Sequence, residues 1–199
     1  MLPDIQAIVN NEIVPLRAEI NVLKSENDDL KHKIDDLEQY SRKECVFSGF
    51  EETNGVENTT EMILEKVSKL PGTILRPEDI VRSHRVGLRN NNKPRQIIAR
   101  LASREAKRNL MVARKQFKDI PDCKNIMVNE DLTKMRNSIC FHARNLVKSK
   151  KILQTWTIDG KIFIKNLSGE KVSIRRESDL VPYGHVLTTV HNGVSLASE

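Results

Sequence analysis

Seven basic residues in the middle of the chain lie where they could contact a chain of phosphates. Two flank a predicted strand over 95–101, one ends the preceding strand, two lie in the loop between these strands, and two lie on a later helix that could face the sheet across a cleft. In that order they are Arg95 and Arg100, Arg85, Arg89 and Lys93, and Arg136 and Arg144. A guanidinium group suits phosphate because it donates two hydrogen bonds in one plane. Phosphate contacts give affinity without reading bases, so the pattern predicts nucleic-acid binding that depends on length and salt. Each base taken alone could equally be a solvated surface charge.

Aromatic side chains add little to this prediction. Many sheet proteins that bind RNA stack bases on aromatic residues of their first and third strands. Here the first predicted strand offers Phe47 and Phe50, and the third offers no aromatic residue. We expect both phenylalanines to pack in the core, so that charge dominates binding.

No set of residues suggests catalysis. The histidines are scattered, and none has a cysteine or aspartate at the spacing of a nucleophile or a metal site: His32, His84, His142, His185 and His191. Cys140 lies two residues before His142 on a predicted helix, where their side chains point apart. No G-x-x-x-x-G-K phosphate loop occurs. The sequence therefore predicts no enzymatic activity, no cofactor, no metal ion and no small-molecule substrate.

Charge is divided unevenly along the chain. Residues 1–41 hold four Lys/Arg and nine Asp/Glu, a net charge of −5, whereas residues 42–177 hold 29 and 16, a net charge of +13. A basic body on an acidic stalk favours a polyanion partner, most often nucleic acid. The apolar runs are too short to span a bilayer, so no membrane partner is expected. Three scattered cysteines predict reduced, intracellular thiols.

Residues 1–42 predict a helix that associates with copies of itself. Its apolar residues alternate three and four apart, and Asn27 is the one polar member of the stripe. The d positions are Val9, Leu16, Leu23, Leu30 and Leu37, and the a positions are Ile13, Ile20, Asn27 and Ile34. In a parallel, in-register assembly the g and e residues pair with opposite charge as Glu12–Arg17, Glu19–Lys24, Glu26–Lys31 and Lys33–Glu38. Isoleucine at a, leucine at d and one asparagine favour a dimer, whereas the stretch from Lys33 to Glu38 resembles a trimer-favouring pattern.

Residues 43–130 predict a four-stranded sheet with two helices. The predicted elements are strands 45–50, 80–86, 95–101 and 126–128, with helices 58–70 and 103–117. Their order, β-α-β-β-α-β, is the split β-α-β arrangement, which packs two helices on one face of the sheet and leaves the other face free.

Residues 131–180 predict a second small domain. Its predicted elements are a helix over 131–148, hairpin strands over 154–158 and 161–165 around Asp159-Gly160, and a strand over 171–175. Residues 181–199 are polar and patternless, and we expect them to be disordered. The fold class predicted for the whole chain is α+β.

The order of several short motifs resembles a known family. The motifs are LEQYSR (37–42), VFSGF (46–50), SHRVG (83–87), KPRQIIARL (93–101), VNEDLT (128–133) and WTIDGKIFI (156–164). Their succession resembles the first-open-reading-frame proteins of LINE-type non-LTR retrotransposons, and the baculoviral few-polyhedra protein has a related layout.

The resemblance implies a coiled-coil homotrimer, an RRM-like domain and a small carboxy-terminal domain that together bind single-stranded RNA, with single-stranded DNA left open. It implies nucleic-acid chaperone activity in a ribonucleoprotein, in the cytoplasm or alternatively the nucleus. For this reason we favour a homotrimer over a homodimer. The resemblance selects Arg85, Arg95, Arg100, Arg136 and Arg144 as binding residues. This chain begins inside the coiled coil, as a fragment or a degenerate copy would.

A function of a different class stays open. A coiled-coil adaptor or viral structural protein could use the same basic body to dock an acidic protein. Binding to RNA that is weak and insensitive to salt would favour that alternative.

Overall fold

The computed structural model describes residue 7 and residues 9–72, 75–89 and 93–187. The chain divides into two compact units, residues 1–41 and residues 42–199. Among the helices that the structure describes, none is both long enough and apolar enough to cross a bilayer.

The first unit is one long helix. A π-helical turn over Val9–Ile13 leads into α1, Val14–Ser41. The apolar side chains at the predicted a and d positions from Ile13 onward are exposed, from 39% for Ile13 to 70% for Leu37. We call this row the heptad stripe. The π turn departs from the regular α-helical spacing assumed for the first heptad, and the side chain of Val9 lies outside the described residues. The helix is confirmed, and self-association stays a prediction.

The second unit begins with a four-stranded antiparallel sheet. Its strands are β1 (Glu44–Ser48), β2 (Ile80–Val86), β3 (Gln96–Leu101) and β4 (Met127–Glu130), in the order β2-β3-β1-β4. Two helices connect them: α2 (Thr59–Val67) after β1 and α3 (Arg104–Ala113) after β3. The predicted β-α-β-β-α-β order is confirmed. The helical segment after Ser103 ends its α-helical part at Ala113 and continues as a 3-10 helix over Arg114–Asp119.

Local side chains fix the ends of these elements. Asn58 accepts a hydrogen bond from the backbone N–H of Glu61 (3.3 Å), and Ser103 accepts one from Ala106 (3.0 Å). These bonds satisfy amides that a helix start leaves unpaired. Strand β1 stops two residues earlier than predicted because Gly49 adopts φ +88°, and a Cβ there would lie 2.0 Å from the carbonyl oxygen of Asn125.

The core of this sheet lies on the face covered by α2 and α3. Phe47 is fully buried there and Phe50 is 3% exposed, with their rings edge to face at 6.0 Å. Both phenylalanines are therefore core residues, as predicted. The opposite face carries Glu44, Val46, Arg82, His84, Ile98, Arg100 and Asn129, and no phenylalanine, tyrosine or tryptophan of the four strands lies on it.

A second hydrophobic core forms around the elements that follow. Helix α4 (Lys134–Lys148) packs on a three-stranded antiparallel sheet of β5 (Gln154–Ile158), β6 (Lys161–Lys165) and β7 (Lys171–Ile174), in the order β5-β6-β7. Asp159 and Gly160 both have positive φ, 50° and 74°, as the predicted two-residue hairpin turn requires. This hairpin is confirmed.

The start of the predicted disordered tail is wrong. The 3-10 helix Glu177–Tyr183 extends into the predicted tail, and Tyr183 packs against the second core. Packing of one tyrosine against residues distant in the sequence has no local signature in a polar stretch. Residues 188–199 lie outside the described part of the chain.

Polar contacts join the two cores into the one compact unit. The carboxylate of Glu130, only 7% exposed, accepts the backbone N–H of Gly160 with both oxygens at 3.2 Å. Arg136 donates to the carbonyl oxygen of Gly160 at 3.0 Å, and Arg42 pairs with Asp131. The hairpin turn is thereby fixed to the end of β4.

Candidate nucleic-acid interface

Arg85 is a structural residue, contrary to the prediction that it binds phosphate. Its side chain is only 6% exposed. The guanidinium donates to both carboxylate oxygens of Glu57 (2.9 and 3.0 Å) and to the carbonyl oxygens of Phe50 (2.9 Å), Glu51 (2.6 Å) and Arg95 (2.7 Å). All five N–H groups of a guanidinium are used by such a set. No donor remains for a phosphate.

Arg89 and Arg95 are also paired, through Glu52. Arg95 Nε donates to Glu52 Oε1 at 2.6 Å, and Arg89 Nε lies 3.5 Å from Glu52 Oε2. The hydrogen bond from Arg95 lowers the pKa of Glu52, and the one from Arg85 lowers the pKa of Glu57. We call these five residues the strand-end network. It holds the loop after β1 against the ends of β2 and β3, so its arginines are poor candidates for the main contact with RNA.

Two further predicted residues, Lys93 and Arg100, have charges that could still interact with a phosphate. Lys93 is exposed, with no ion pair or hydrogen bond to any residue that the structure describes. Arg100 lies on the open face of the sheet, opposite Arg82 on β2 and 3.7 Å from Glu44 on β1. Both remain candidates for peripheral contacts.

The last two predicted residues have different roles. Arg136 binds the hairpin turn through Gly160, so it positions that turn. Arg144 is exposed and lines an open groove on the second core. Of the seven predicted bases, Arg144 is the one that the structure places in this groove.

This groove has a volume of about 720 Å³. Its charged lining consists of five bases and no acid: Lys115, Arg144, Lys148, Lys165 and Lys171. Lys115 comes from the 3-10 helix after α3, and the others come from α4, β6 and β7. Within the described part of the chain, none of the five forms an ion pair or a side-chain hydrogen bond. We call this surface the basic groove.

An aromatic pair lies at the same place. Trp156 on β5 lines the basic groove and stacks on Phe163 of β6, with ring centroids 5.9 Å apart and planes 17° apart. Both rings are partly exposed. Stacking of bases on such rings is worth about 1–3 kcal/mol per base. The groove thus combines unpaired cations with an aromatic surface, which is the composition of a site for a single strand.

The sequence interpretation missed Trp156 and the four lysines of the groove. One signal was present: a two-residue turn at Asp159-Gly160 fixes the pairing of Trp156 with Phe163. The convergence of Lys115 with β6 and β7 depends on tertiary packing, and no local pattern predicts it.

The cysteines show no sign of reactivity. All three are buried, and burial raises the pKa of the Cys140 thiol and raises that of Cys45 to about 12. Thiols with raised pKa values are poor nucleophiles at neutral pH.

No protein-family model matches the sequence, and no curated protein gives a significant match. The resemblance to retrotransposon and baculoviral proteins therefore depends on the sequence motifs alone.

Proposed function

We propose that this chain is an oligomeric protein that binds single-stranded RNA through the basic groove. It acts as a nucleic-acid chaperone that packages retrotransposon RNA into a ribonucleoprotein, and it needs no catalytic group to do so. The four-stranded sheet is an RRM-like frame without the aromatic platform of ordinary RRMs.

This proposal is supported chiefly by the five bases of the basic groove, which have no acidic partner in its lining. Five bases without acidic partners repel one another, so a polyanion that neutralises them is favoured. Lys165 and Lys171 face the groove from neighbouring strands, and Arg144 and Lys148 face it from one helix. A flexible phosphate backbone can follow such a lining, with bases stacked on Trp156.

The heptad stripe supports the oligomeric part of the proposal. A row of exposed isoleucine and leucine side chains is costly in water, and bundling of identical helices would bury it. We favour three parallel helices, on the resemblance stated for the sequence. Several grooves on one stalk would gain avidity, often about 100-fold or more, on a strand long enough to reach them.

The basic groove can be tested with its own tryptophan. Trp156 is the single tryptophan of the chain, so a change in its fluorescence reports on this site directly. We expect saturable quenching by a random-sequence RNA of roughly 16 nucleotides, about one site length. Quenching should weaken steeply as salt is raised.

A matched pair of double variants completes the test. K165E/K171E reverses two groove charges and should abolish quenching at moderate salt. K124E/K134E makes the same charge change at two exposed lysines outside the groove lining, and it should retain quenching within about threefold. Quenching by polyglutamate as tight as by RNA would favour an acidic protein partner. An equal loss of quenching in both variants would show that the basic groove is not the RNA-binding site.

A further inference from the structure

Three side chains from separate parts of the second core converge beside α4. His142 lies on α4, Glu177 begins the 3-10 helix over Glu177–Tyr183, and His185 follows that helix. Glu177 Oε1 lies 2.6 Å from His185 Nε2 and 3.4 Å from His142 Nε2. The two imidazole rings lie 4.4 Å apart between centroids. Their ligand atoms all fall within 4.8 Å of one another.

This geometry is close to that of a metal site. Two ligands bound tetrahedrally at about 2.0–2.1 Å from one zinc ion lie roughly 3.3 Å from each other. The distance from Glu177 Oε1 to His142 Nε2 is already close to this value. The contact in which Glu177 Oε1 accepts a hydrogen bond from His185 Nε2 must lengthen by roughly 0.7 Å. Side-chain rotation can supply such a change, because all three groups are only partly buried.

The donor set also selects the metal. Two imidazole nitrogens and one carboxylate suit zinc and similar transition ions, whereas Mg²⁺ and Ca²⁺ prefer oxygen ligands. Three protein ligands leave a fourth position for water. Because a quarter of the His142 side chain and a third of the Glu177 side chain are exposed, an ion can enter from solvent.

We propose that His142, Glu177 and His185 bind one zinc-class divalent ion, which fastens the 3-10 helix to α4. The same segment is already held by burial of Leu180 and by Lys151, whose Nζ donates to the carbonyl oxygen of Gly184 at 2.9 Å. The ion would add a third attachment of this segment to α4. The stability of the second core would then depend on the availability of the metal. The proposal does not depend on RNA binding, and its test does not use RNA.

The test uses the full chain without a histidine tag, stripped with EDTA. Calorimetric titration with ZnCl₂ should give one ion per chain. At free zinc about a hundred times Kd, Tm should rise by about 5–10 °C. MgCl₂ at the same concentration should leave Tm unchanged. Bound Co²⁺ should show visible absorption bands of a low-symmetry site, which gives a readout that needs no variant.

Variants assign the ligands. H142Q, E177Q and H185Q should each weaken zinc binding by at least about 10–100-fold, the loss that even an outer partner of a metal ligand can cause. H84Q is the matched control, because His84 is an exposed histidine on the four-stranded sheet, away from this cluster. H191Q, outside the described residues, should also bind zinc normally. Unchanged zinc affinity in H142Q and H185Q overturns the proposal, as does a wild-type chain without a Co²⁺ spectrum.

Discussion

The strand-end network and the basic groove contain the same kinds of residue and use them in opposite ways. In the network, Arg85, Arg89 and Arg95 are paired with Glu52 and Glu57, and the arginine nearest the core has no free donor. In the groove, five bases face solvent with no acid in the lining.

The pairing of a basic residue, more than its presence, therefore decides whether it can bind phosphate. An arginine that already holds carboxylates and carbonyls would have to break those bonds, and the buried acid would be left uncompensated. A lysine without a partner gives up only hydration and side-chain freedom. The comparison therefore predicts effects on stability at one site and effects on binding at the other.

The largest effect should come from Arg85→Ala. Removal of one member of a buried pair leaves the charge of Glu57 and several carbonyls unsatisfied, so the free energy of unfolding should fall by about 3–5 kcal/mol. Urea denaturation measures this loss, and R89A, which removes a half-exposed arginine, should cost less than about 1 kcal/mol. A stable R85A protein with weakened RNA binding would reverse the assignment of this residue.

Disruption of the heptad stripe should remove the avidity for long RNA and leave the affinity of each basic groove unchanged. In L23D/L30D two charges enter the predicted interface, so we expect monomers by sedimentation equilibrium. Affinity for a long RNA should fall by about 100-fold, whereas affinity for a short RNA that fills one groove should stay within a few fold. An equal loss on both lengths would contradict the avidity account. E19Q, at a flanking g position, is the control expected to remain oligomeric.

Replacement of Trp156 sharpens the description of the groove itself. W156A should weaken binding of a short RNA by about 5–150-fold, which corresponds to the loss of about 1–3 kcal/mol of stacking. W156F keeps an aromatic face and should retain most of the affinity. Anisotropy of a labelled RNA measures both, with urea melts to show that each variant is folded. Equal affinity of W156A and wild type would leave charge alone as the source of binding.

The fold was largely predictable because its elements have local signatures. Strand alternation and the Asp159-Gly160 turn each act over a few residues, so the order of helices and strands along the chain could be predicted from local patterns. The site was predicted only in part. Arg85 binds Glu57 across 28 positions of sequence, and the basic groove joins Lys115 to β6 and β7. His142 and His185 look isolated in the sequence, and tertiary packing brings both of them to Glu177.

The salt dependence of RNA binding counts the phosphate contacts that the basic groove makes. The affinity of wild type and of K148Q/K165Q/K171Q for a short single-stranded RNA should be measured over a series of salt concentrations. Loss of three contacts should reduce the slope of log Kobs against log salt by about 2, since each contact with a single strand contributes about 0.7. The same slope in both proteins would show that RNA binds elsewhere and would contradict the assignment of RNA binding to the basic groove.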